Sequence, residues 1–192
     1  MVIAQSEAQI NLAKVHVEFL LDDEIEIGHK ELVTLDDDQD EREFTADEKE
    51  KFATWKETFV EHIVQAVRLG TQAKQSWLIF NASIEFWNNY LPIFKMPSFY
   101  EKLHASGPKA MQECFEAMNG CFESAQFSQD SVDYELNKKV MVFSNLSVLL
   151  ARYFEFKAEN NEAVRICDTL LTKQLPSHLR KTFDSIKARV TK

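Results

Sequence analysis

Residues 77–94 read WLIFNASIEFWNNYLPIF, a strongly apolar run that also contains three asparagines, a glutamate and a proline. Three structures fit such a run: a membrane span, a ligand pocket, or a helix buried among other helices. A span is disfavoured because Glu85 near its middle would cost about 2.5–3.5 kcal/mol on insertion. The buried helix is favoured. We then expect Asn81 to bond a neighbouring helix, since an unpaired buried amide costs about 1–3 kcal/mol.

The composition points to an all-α fold. The chain has 192 residues, of which 45% are hydrophobic and only four are glycine and four proline. Sandwiches and barrels need many turns, and turns are rich in these two residues. No two glycines lie close enough to form the phosphate-binding loop of a nucleotide-binding fold.

Charge and cysteine content limit the partners and the compartment. A net charge of −9 disfavours binding to nucleic acids and to anionic membranes. Three cysteines do not form a disulfide framework, so we expect a reducing compartment such as the cytoplasm. The first residues lack the basic start and unbroken apolar stretch of a secretory signal.

Helical periodicity divides the chain into three parts. We predict an N-terminal helix at residues 1–21, an acidic linker at residues 22–44, and a helical repeat domain over residues 45–192. Thr45 is the predicted cap of the second helix. Gly70 is its predicted end, and Thr71 could cap the next helix.

The later helices are predicted at about residues 72–94, from Gly107, at 131–157, at 160–174, and from Pro176 onward. A short turn is expected around residues 98–103. Short connections make consecutive helices antiparallel neighbours. The predicted fold is therefore all-α, an irregular tetratricopeptide-like α-solenoid of antiparallel helix pairs.

The last third of the chain carries a degenerate match to the tetratricopeptide pattern. Small residues permit close helix crossing and large ones fill the next groove. The positions that match are Leu150, Ala151, Phe154, Ala163, Cys167 and Pro176. An ordinary helical hairpin is the alternative explanation, and the preceding hairpin matches less well.

No constellation of catalytic or metal-binding residues is visible. The five histidines are scattered over different segments, and the usual hydrolase and zinc motifs are absent. Asp36, Asp38 and Asp40 imitate the start of a calcium loop, but the sixth position is Glu41 instead of glycine. We expect no cofactor, no metal and no small-molecule substrate. An enzyme would need a pocket that gathers Asn81, a histidine and an acid.

Several segments resemble one protein family in order and approximate spacing. Residues 80–87 (FNASIEFW) are similar to a helix in the N-terminal tetratricopeptide-like region of the cilia- and flagella-associated protein 46 family. Residues 92–95, 161–167 and 176–183 resemble further segments of that region. The packing positions that this likeness and the repeat pattern single out are Trp77, Phe80, Asn81, Ser83, Trp87, Leu150, Ala151, Phe154, Ala163, Cys167 and Pro176.

The resemblance implies a non-enzymatic scaffold subunit of the ciliary or flagellar axoneme, in the C1 projection of the central apparatus. Its partners would be other central-apparatus scaffold proteins, with calmodulin or tubulin reached through the complex. The family's members are far longer, so this chain could be a fragment or a short paralogue. We expect Trp55, Phe99 and Tyr100 to be exposed docking anchors, because aromatic residues often dominate interfaces.

A soluble tetratricopeptide-type adaptor that binds short peptides of partner proteins is the alternative function. Grooves that capture carboxylates need several basic residues at helical spacing. Lys138, Lys139 and Arg152 form only a sparse set of this kind.

Overall fold

A computed structural model describes residues 2–12, 46–95, 99–103, 106–124, 134–173 and 175–191. This part of the chain consists of helices joined by turns and contains no strand, so the all-α prediction is confirmed for it. Several predicted features lie outside the described residues. They are the second half of the predicted first helix, the predicted linker at 22–44 with the three aspartates of the calcium-like run, and Thr45. The helices are α1 (2–12), α2 (Ala46–Gln72), α3 (Ser76–Phe94), α4 (Phe99–Lys102), α5 (Gly107–Ser124), α6 (Tyr134–Phe156), α7 (Asn160–Leu171) and α8 (Ser177–Val190).

The helices pack mainly on near neighbours in the chain. Helix α2 packs on α3 and α5, and α3 also contacts α5 and α6. Helix α6 packs on α5, α7 and α8, and α7 packs on α8. The four-residue helix α4 lies against α3. Helices that are not consecutive, such as α3 and α6, therefore also share an interface.

Phenylalanines form much of the core between these helices. Phe59, Phe86, Phe115, Phe143 and Phe183 are each less than 2% exposed. The rings of Phe115 and Phe143 stack at 5.7 Å between centroids and join α5 to α6. Aromatic pairs of this kind contribute about 0.5–1.5 kcal/mol beyond the area they bury.

Two turns have the same hydrogen-bonding pattern and share an unusual backbone conformation. Lys74 lies between α2 and α3 with φ 53°, and Ala158 lies between α6 and α7 with φ 58°. The next residue in each turn donates its N–H five residues back, from Gln75 to Gly70 and from Glu159 to Phe154. These bonds close both helices in the Schellman arrangement. A left-handed conformation in a residue other than glycine costs about 1–2 kcal/mol.

The prediction that Gly70 ends a helix and that Thr71 caps the next one is wrong. Helix α2 continues to Gln72, and the Thr71 hydroxyl donates to the carbonyl of Val67 within it. The left-handed residue is Lys74, which is why the sequence signal at Gly70 was misleading. A Cβ atom on Gly70 would lie 3.0 Å from Ile79 Cγ1 and 3.2 Å from Leu78 Cβ. Gly70 therefore permits the close approach of α2 to the first turn of α3.

Other helix ends follow the sequence signals. Helix α5 begins at Gly107, with Pro108 in its first turn, where the missing N–H has no helical partner to lose. The helix predicted at 160–174 ends earlier, at Leu171, and Pro176 is the residue immediately before α8. The Pro176 carbonyl accepts hydrogen bonds from the N–H groups of Leu179 and Arg180. Pro176 is itself exposed, so it starts a helix and does not fill the core.

Candidate functional site

A groove of about 550 Å³ lies where α1, α3 and α6 meet. We call it the α1–α3–α6 groove. It is lined by Glu7, Ile10, Asn11, Trp77, Asn81, Ile84, Glu85 and Lys138. It therefore combines apolar surface with two carboxylates, one ammonium group and two amides.

Helix α3 supplies half of the lining from one face. Trp77, Asn81, Ile84 and Glu85 recur at helical spacing and point into the groove. The opposite face is buried, and Leu78, Ala82 and Phe86 are each 0% exposed. The exposed face of α3 is not uniformly polar, as in an ordinary amphipathic helix, because it carries Trp77 and Ile84 beside polar side chains.

The expectation that residues 77–94 are buried on nearly every side is therefore wrong for the groove face. Trp77 is 40% exposed, Asn81 is exposed and Trp87 is half-buried. Asn81 has no hydrogen bond to any residue that the structure describes, in contrast to the predicted bond across to another helix. Helix α3 packs on the core with one side and borders the groove with the other. The apolar composition of the helix does not show which of its faces is exposed.

Helix α1 is held in place by specific contacts with α2. The buried hydroxyl of Ser6 donates to the carbonyl of Ala66 at 2.9 Å, and Ile10 is 7% exposed. Gln9 Oε1 lies 2.5 Å from His62 Nδ1. These contacts fix the rotation of α1 about its axis, so that Glu7 and Asn11 face the groove.

Among the described residues that line the groove, carboxylates outnumber ammonium groups. Glu7 and Glu85 contribute carboxylates, and Lys138 at the start of α6 contributes an ammonium group. Asn89 Nδ2 donates to the Glu85 carbonyl at 2.7 Å and to its Oε1 at 3.3 Å, which orients the Glu85 side chain. The neighbouring Lys139 is directed elsewhere, with its Nζ 5.6 Å from the centroid of the Phe80 ring.

Exposed large apolar side chains are concentrated on the helices that form the groove. In the described segments, the large hydrophobic residues that are at least 40% exposed are Ile3, Leu12, Trp77, Met141 and Phe156. The first two belong to α1, Trp77 belongs to α3, and the last two belong to α6. We call the exposed surface of these three helices the apolar face.

Ion pairs join the helices α2, α5 and α7, and further pairs tie α8 to α7 and to α6. Arg68 of α2 pairs with Glu113 of α5. Arg165 of α7 bonds Glu116 of α5 at 2.8 Å and Glu162 of its own helix at 2.9 Å. These bonds connect the three helices in sequence, and we call this surface the charged face. Such exposed pairs contribute little energy each, about 0–1 kcal/mol.

One of the three predicted docking anchors, Phe99, is buried and not exposed. Phe99 is 4% exposed and packs edge-to-face on Phe94, so the prediction that it is a docking anchor is wrong. Tyr100 is half-buried and stacks on Phe156 at 5.2 Å. Trp55 belongs to α2, but its side chain lies outside the described residues.

The predicted repeat positions lie in the core around α6 and α7. Leu150, Ala151, Ala163 and Cys167 are each 0% exposed, and Phe154 is 7% exposed. In α3, Ser83 is 0% and Phe80 is 4% exposed. Small residues at such positions let helices approach closely.

The three cysteines form no disulfide bonds, and Cys114 and Cys167 are buried. Burial raises the pKa of the Cys114 thiol to about 12 and that of Cys167 to about 11. Burial also raises the pKa of the half-buried Cys121. Thiols with such pKa values are poor nucleophiles at neutral pH.

Within the described ranges, no cluster of three or more His, Cys, Asp or Glu residues could hold a metal ion. None of the helices described is both long enough and apolar enough to cross a bilayer.

Sequence reasoning did not single out Glu7, Asn11 or Met141, and it named Lys138 only in a sparse basic set. These residues lie on α1 and α6, where isolated exposed side chains give no periodic signal.

Comparison with known proteins gives no relative for this chain. It matches no family model, no curated protein and no solved structure.

Proposed function

We propose that this chain is a non-enzymatic docking module that holds other proteins through its apolar face. The observation that carries the proposal is the unequal distribution of surface chemistry. The described large apolar residues that are strongly exposed lie on α1, α3 and α6. Ion pairs tie α2, α5 and α7 together, and the pair of Glu155 with Arg189 also joins α6 to α8. Exposed apolar residues grouped beside a groove are typical of interaction sites.

A two-row arrangement of helices would explain this difference between the faces. We propose that α1, α3, α6 and α8 form one row, and that α2, α5 and α7 form the other, as in an irregular tetratricopeptide-like α-solenoid. The contacts of α3 with α6, of α6 with α8 and of α2 with α5 support two such rows. Repeats of this kind offer an extended surface on one side.

The cellular setting that we propose rests on the resemblance of residues 80–87 and the later segments to the axonemal family. In that setting the chain is a scaffold subunit of the central apparatus, on its C1 side, within the cytoskeleton of a cilium or flagellum. Its partners are other scaffold proteins of the same projection, and the apolar face is covered in the assembled complex.

Replacement of Trp77 and Met141 by glutamate tests this function in ciliated cells. The double variant places two charges on the apolar face and leaves the core unchanged. We expect the tagged wild-type chain to be incorporated into the axonemal central apparatus, and the double variant to be absent from it. The control is Gln112→Glu, which changes an exposed residue of α5. Equal incorporation of both variants would contradict the proposal, as would a wild-type chain distributed away from the axoneme.

The α1–α3–α6 groove favours the second candidate function, a soluble adaptor for short peptides. A groove of about 550 Å³ falls within the range of ordinary ligand pockets. The two functions differ in how the isolated chain behaves. An adaptor is a stable monomer, whereas a scaffold segment removed from its neighbours self-associates through its apolar face. Sedimentation velocity of the isolated chain, compared with the Trp77 and Met141 double variant, separates these cases.

A further inference from the structure

A second group of exposed side chains lies at the end of α6 that is remote from the groove. Phe156, the last residue of α6, is 50% exposed. The ring of Tyr100 from α4 stacks on it, with centroids 5.2 Å apart and ring planes inclined by 14°. Lys157 Nζ lies 5.7 Å from the centroid of the Phe156 ring. Met141, the other strongly exposed apolar residue of α6, is about 22 Å away along the helix axis. The two residues therefore mark separate contact points on α6.

Two arginines flank the exposed ring. Arg152 is exposed and precedes Phe156 by four residues, so both lie on the same stripe of α6. Arg189, near the end of α8, reaches across to α6. Its Nε donates to Glu155 Oε1 at 2.6 Å, and its Nη2 donates to Glu155 Oε2 at 2.8 Å. We call the following set the Phe156 patch: Tyr100, Arg152, Phe156, Lys157 and Arg189.

Positive charge exceeds negative charge around the Tyr100 hydroxyl. The charged side chains that act on this hydroxyl are two guanidiniums and one carboxylate, those of Arg152, Arg189 and Glu155. Both oxygens of Glu155 accept hydrogen bonds from Arg189. Arg152 also attracts this carboxylate, but it forms no ion pair with any residue in the described segments. The whole chain carries a net charge of −9, so this local excess has the opposite sign to the chain as a whole.

Three further charged side chains lie at the edge of the patch. Lys157 Nζ contacts the Tyr153 ring at 5.8 Å as well as the Phe156 ring. Glu159 follows in the same turn and acts on the Tyr153 hydroxyl, and Glu101 is exposed on α4. Neither carboxylate is among the charges that act on Tyr100. The cation excess is therefore local to Arg152 and the Tyr100 hydroxyl.

Arg152 and Tyr100 supply hydrogen-bond donors beside an exposed apolar ring. Burial raises the pKa of the Tyr100 hydroxyl, and the charge of Arg152 opposes this rise. The hydroxyl is therefore protonated at neutral pH and can donate to an anion. A guanidinium has five N–H donors, and its bonds to a carboxylate are often bidentate. Arginine and aromatic side chains together are typical of interface hot spots. A nucleic acid is disfavoured, because the net charge of the chain repels a phosphate backbone.

We infer that the Phe156 patch binds an acidic segment of a partner protein. An Asp or Glu side chain of this segment accepts hydrogen bonds from the Arg152 guanidinium and the Tyr100 hydroxyl. An apolar side chain beside that acid covers the exposed part of Phe156. This inference rests on the proposed docking function. It adds a contact point at the far end of the apolar face and gives the chemistry of the segment that docks there.

A random dodecapeptide display library provides the probe. The peptides are joined to the phage coat at their C-terminal ends, so that side chains supply their carboxylates. The library is first depleted on the whole Arg152→Glu chain and then panned on the whole wild-type chain. We expect the enriched peptides to share an Asp or Glu within two positions of a large apolar residue. Enriched peptides without an acidic residue would contradict the inference.

Fluorescence anisotropy with the strongest peptide measures the contribution of each group. Arg152→Gln and Phe156→Ala should each weaken binding about tenfold. Replacement of the acidic residue of the peptide by its amide should also weaken binding to the wild type about tenfold. The same replacement should have little further effect on Arg152→Gln, because both changes remove one shared contact. Lys181→Gln is the matched control. It removes an exposed cation of α8 two turns before Arg189 and should leave the affinity unchanged.

Thermal unfolding separates a lost contact from a damaged fold. The Tm of Arg152→Gln should equal that of the wild type, because the Arg152 side chain is exposed and its substitute is also a good helix former. Phe156→Ala should lower Tm slightly, because it removes the ring that stacks on Tyr100. The amide form of the peptide tests the carboxylate contact on the unaltered chain, so it stays decisive if a variant unfolds.

The outcomes separate this inference from the broader proposal. Equal binding by wild type and Arg152→Gln, equal binding of the acidic and amide peptides, or no enrichment over the depleted library would each refute the inference. The double replacement of Trp77 and Met141 by glutamate tests the docking function at other residues. If that variant is absent from the axoneme while Arg152→Gln binds peptide like the wild type, the function stands and the inference fails. If the double variant is incorporated normally, the docking function fails, whatever the peptides show.

Discussion

Two glycines inside helices should respond oppositely to the same substitution, because their surroundings differ. Gly70→Ala places a methyl group 3.0 Å from Ile79 Cγ1 and 3.2 Å from the Ile79 nitrogen. Gly120→Ala adds a methyl group with no atom within 4 Å. Alanine is favoured over glycine in a helix interior by up to about 1 kcal/mol. Overpacking at a tight contact costs about 1–3 kcal/mol.

The expected free energies follow from these two terms. Gly120→Ala should stabilise the chain by about 0.5–1 kcal/mol, because it gains helix propensity without a clash. Gly70→Ala should destabilise it by about 1 kcal/mol, because the clash exceeds the propensity gain. In a chain of this size each kcal/mol moves Tm by about 2–4 °C. Thermal and urea unfolding of the two variants measures both values.

A double-mutant cycle distinguishes tight packing from a helix-terminating role of Gly70. If the clash with Ile79 is the cause, Ile79→Ala should relieve part of the cost of Gly70→Ala, with a coupling energy of about 1 kcal/mol. A terminating glycine in a left-handed conformation would show no such coupling. Equal stabilisation by both glycine substitutions, or zero coupling with Ile79, would refute the packing of α2 on α3 described above.

Three further predictions concern a turn, an ion pair and the thiols. Ala158→Gly should stabilise the chain by about 0.5–1 kcal/mol in urea unfolding, because Ala158 has a left-handed φ of 58°; destabilisation would contradict this conformation. A hydrogen bond from Arg189 lowers the pKa of Glu155 below 4.5, so the pair stabilises the fold above that pH and the stabilisation is lost as the pH falls through the folded pKa. Glu155→Gln should therefore cost about 0.5–1 kcal/mol at pH 7, and this cost should shrink as the pH falls through the folded pKa of Glu155; a difference between wild type and variant that does not depend on pH would contradict the ion pair. With Ellman's reagent at pH 8 the native chain should react at Cys121 well before Cys114, whose pKa is raised to about 12 by burial; equal rates would show that α5 is not packed as described.

The interior of the fold was largely predictable from the sequence. The predicted start of a helix at Gly107 agrees with the start of α5. The small residues Ala151 and Ala163 identified the close crossing of α6 with α7. These signals are local, because a helix interior and its caps depend on residues three or four apart in the chain.

The groove was not predictable from the same patterns. Trp77 and Phe80 are both aromatic and lie three residues apart on one helix, yet Trp77 faces the groove and Phe80 packs on Phe122. Periodicity shows which residues share a face, but the partner helices decide which face is covered. The exposed apolar face results from the packing of α3 on α2, α5 and α6, which covers the opposite side of the helix. Phe99 shows the opposite error. It was predicted to be exposed because it lies in a short turn, but it is buried against Phe94.

The central claim is that partners dock on the apolar face and not on the charged face. Photo-crosslinking in the assembled complex measures this directly, with benzoyl-phenylalanine placed at Met141 of α6 or at Gln112 of α5. Our account predicts crosslinks to other proteins from position 141 and none from position 112. Crosslinks from position 112 alone, or equal yields from both positions, would contradict it.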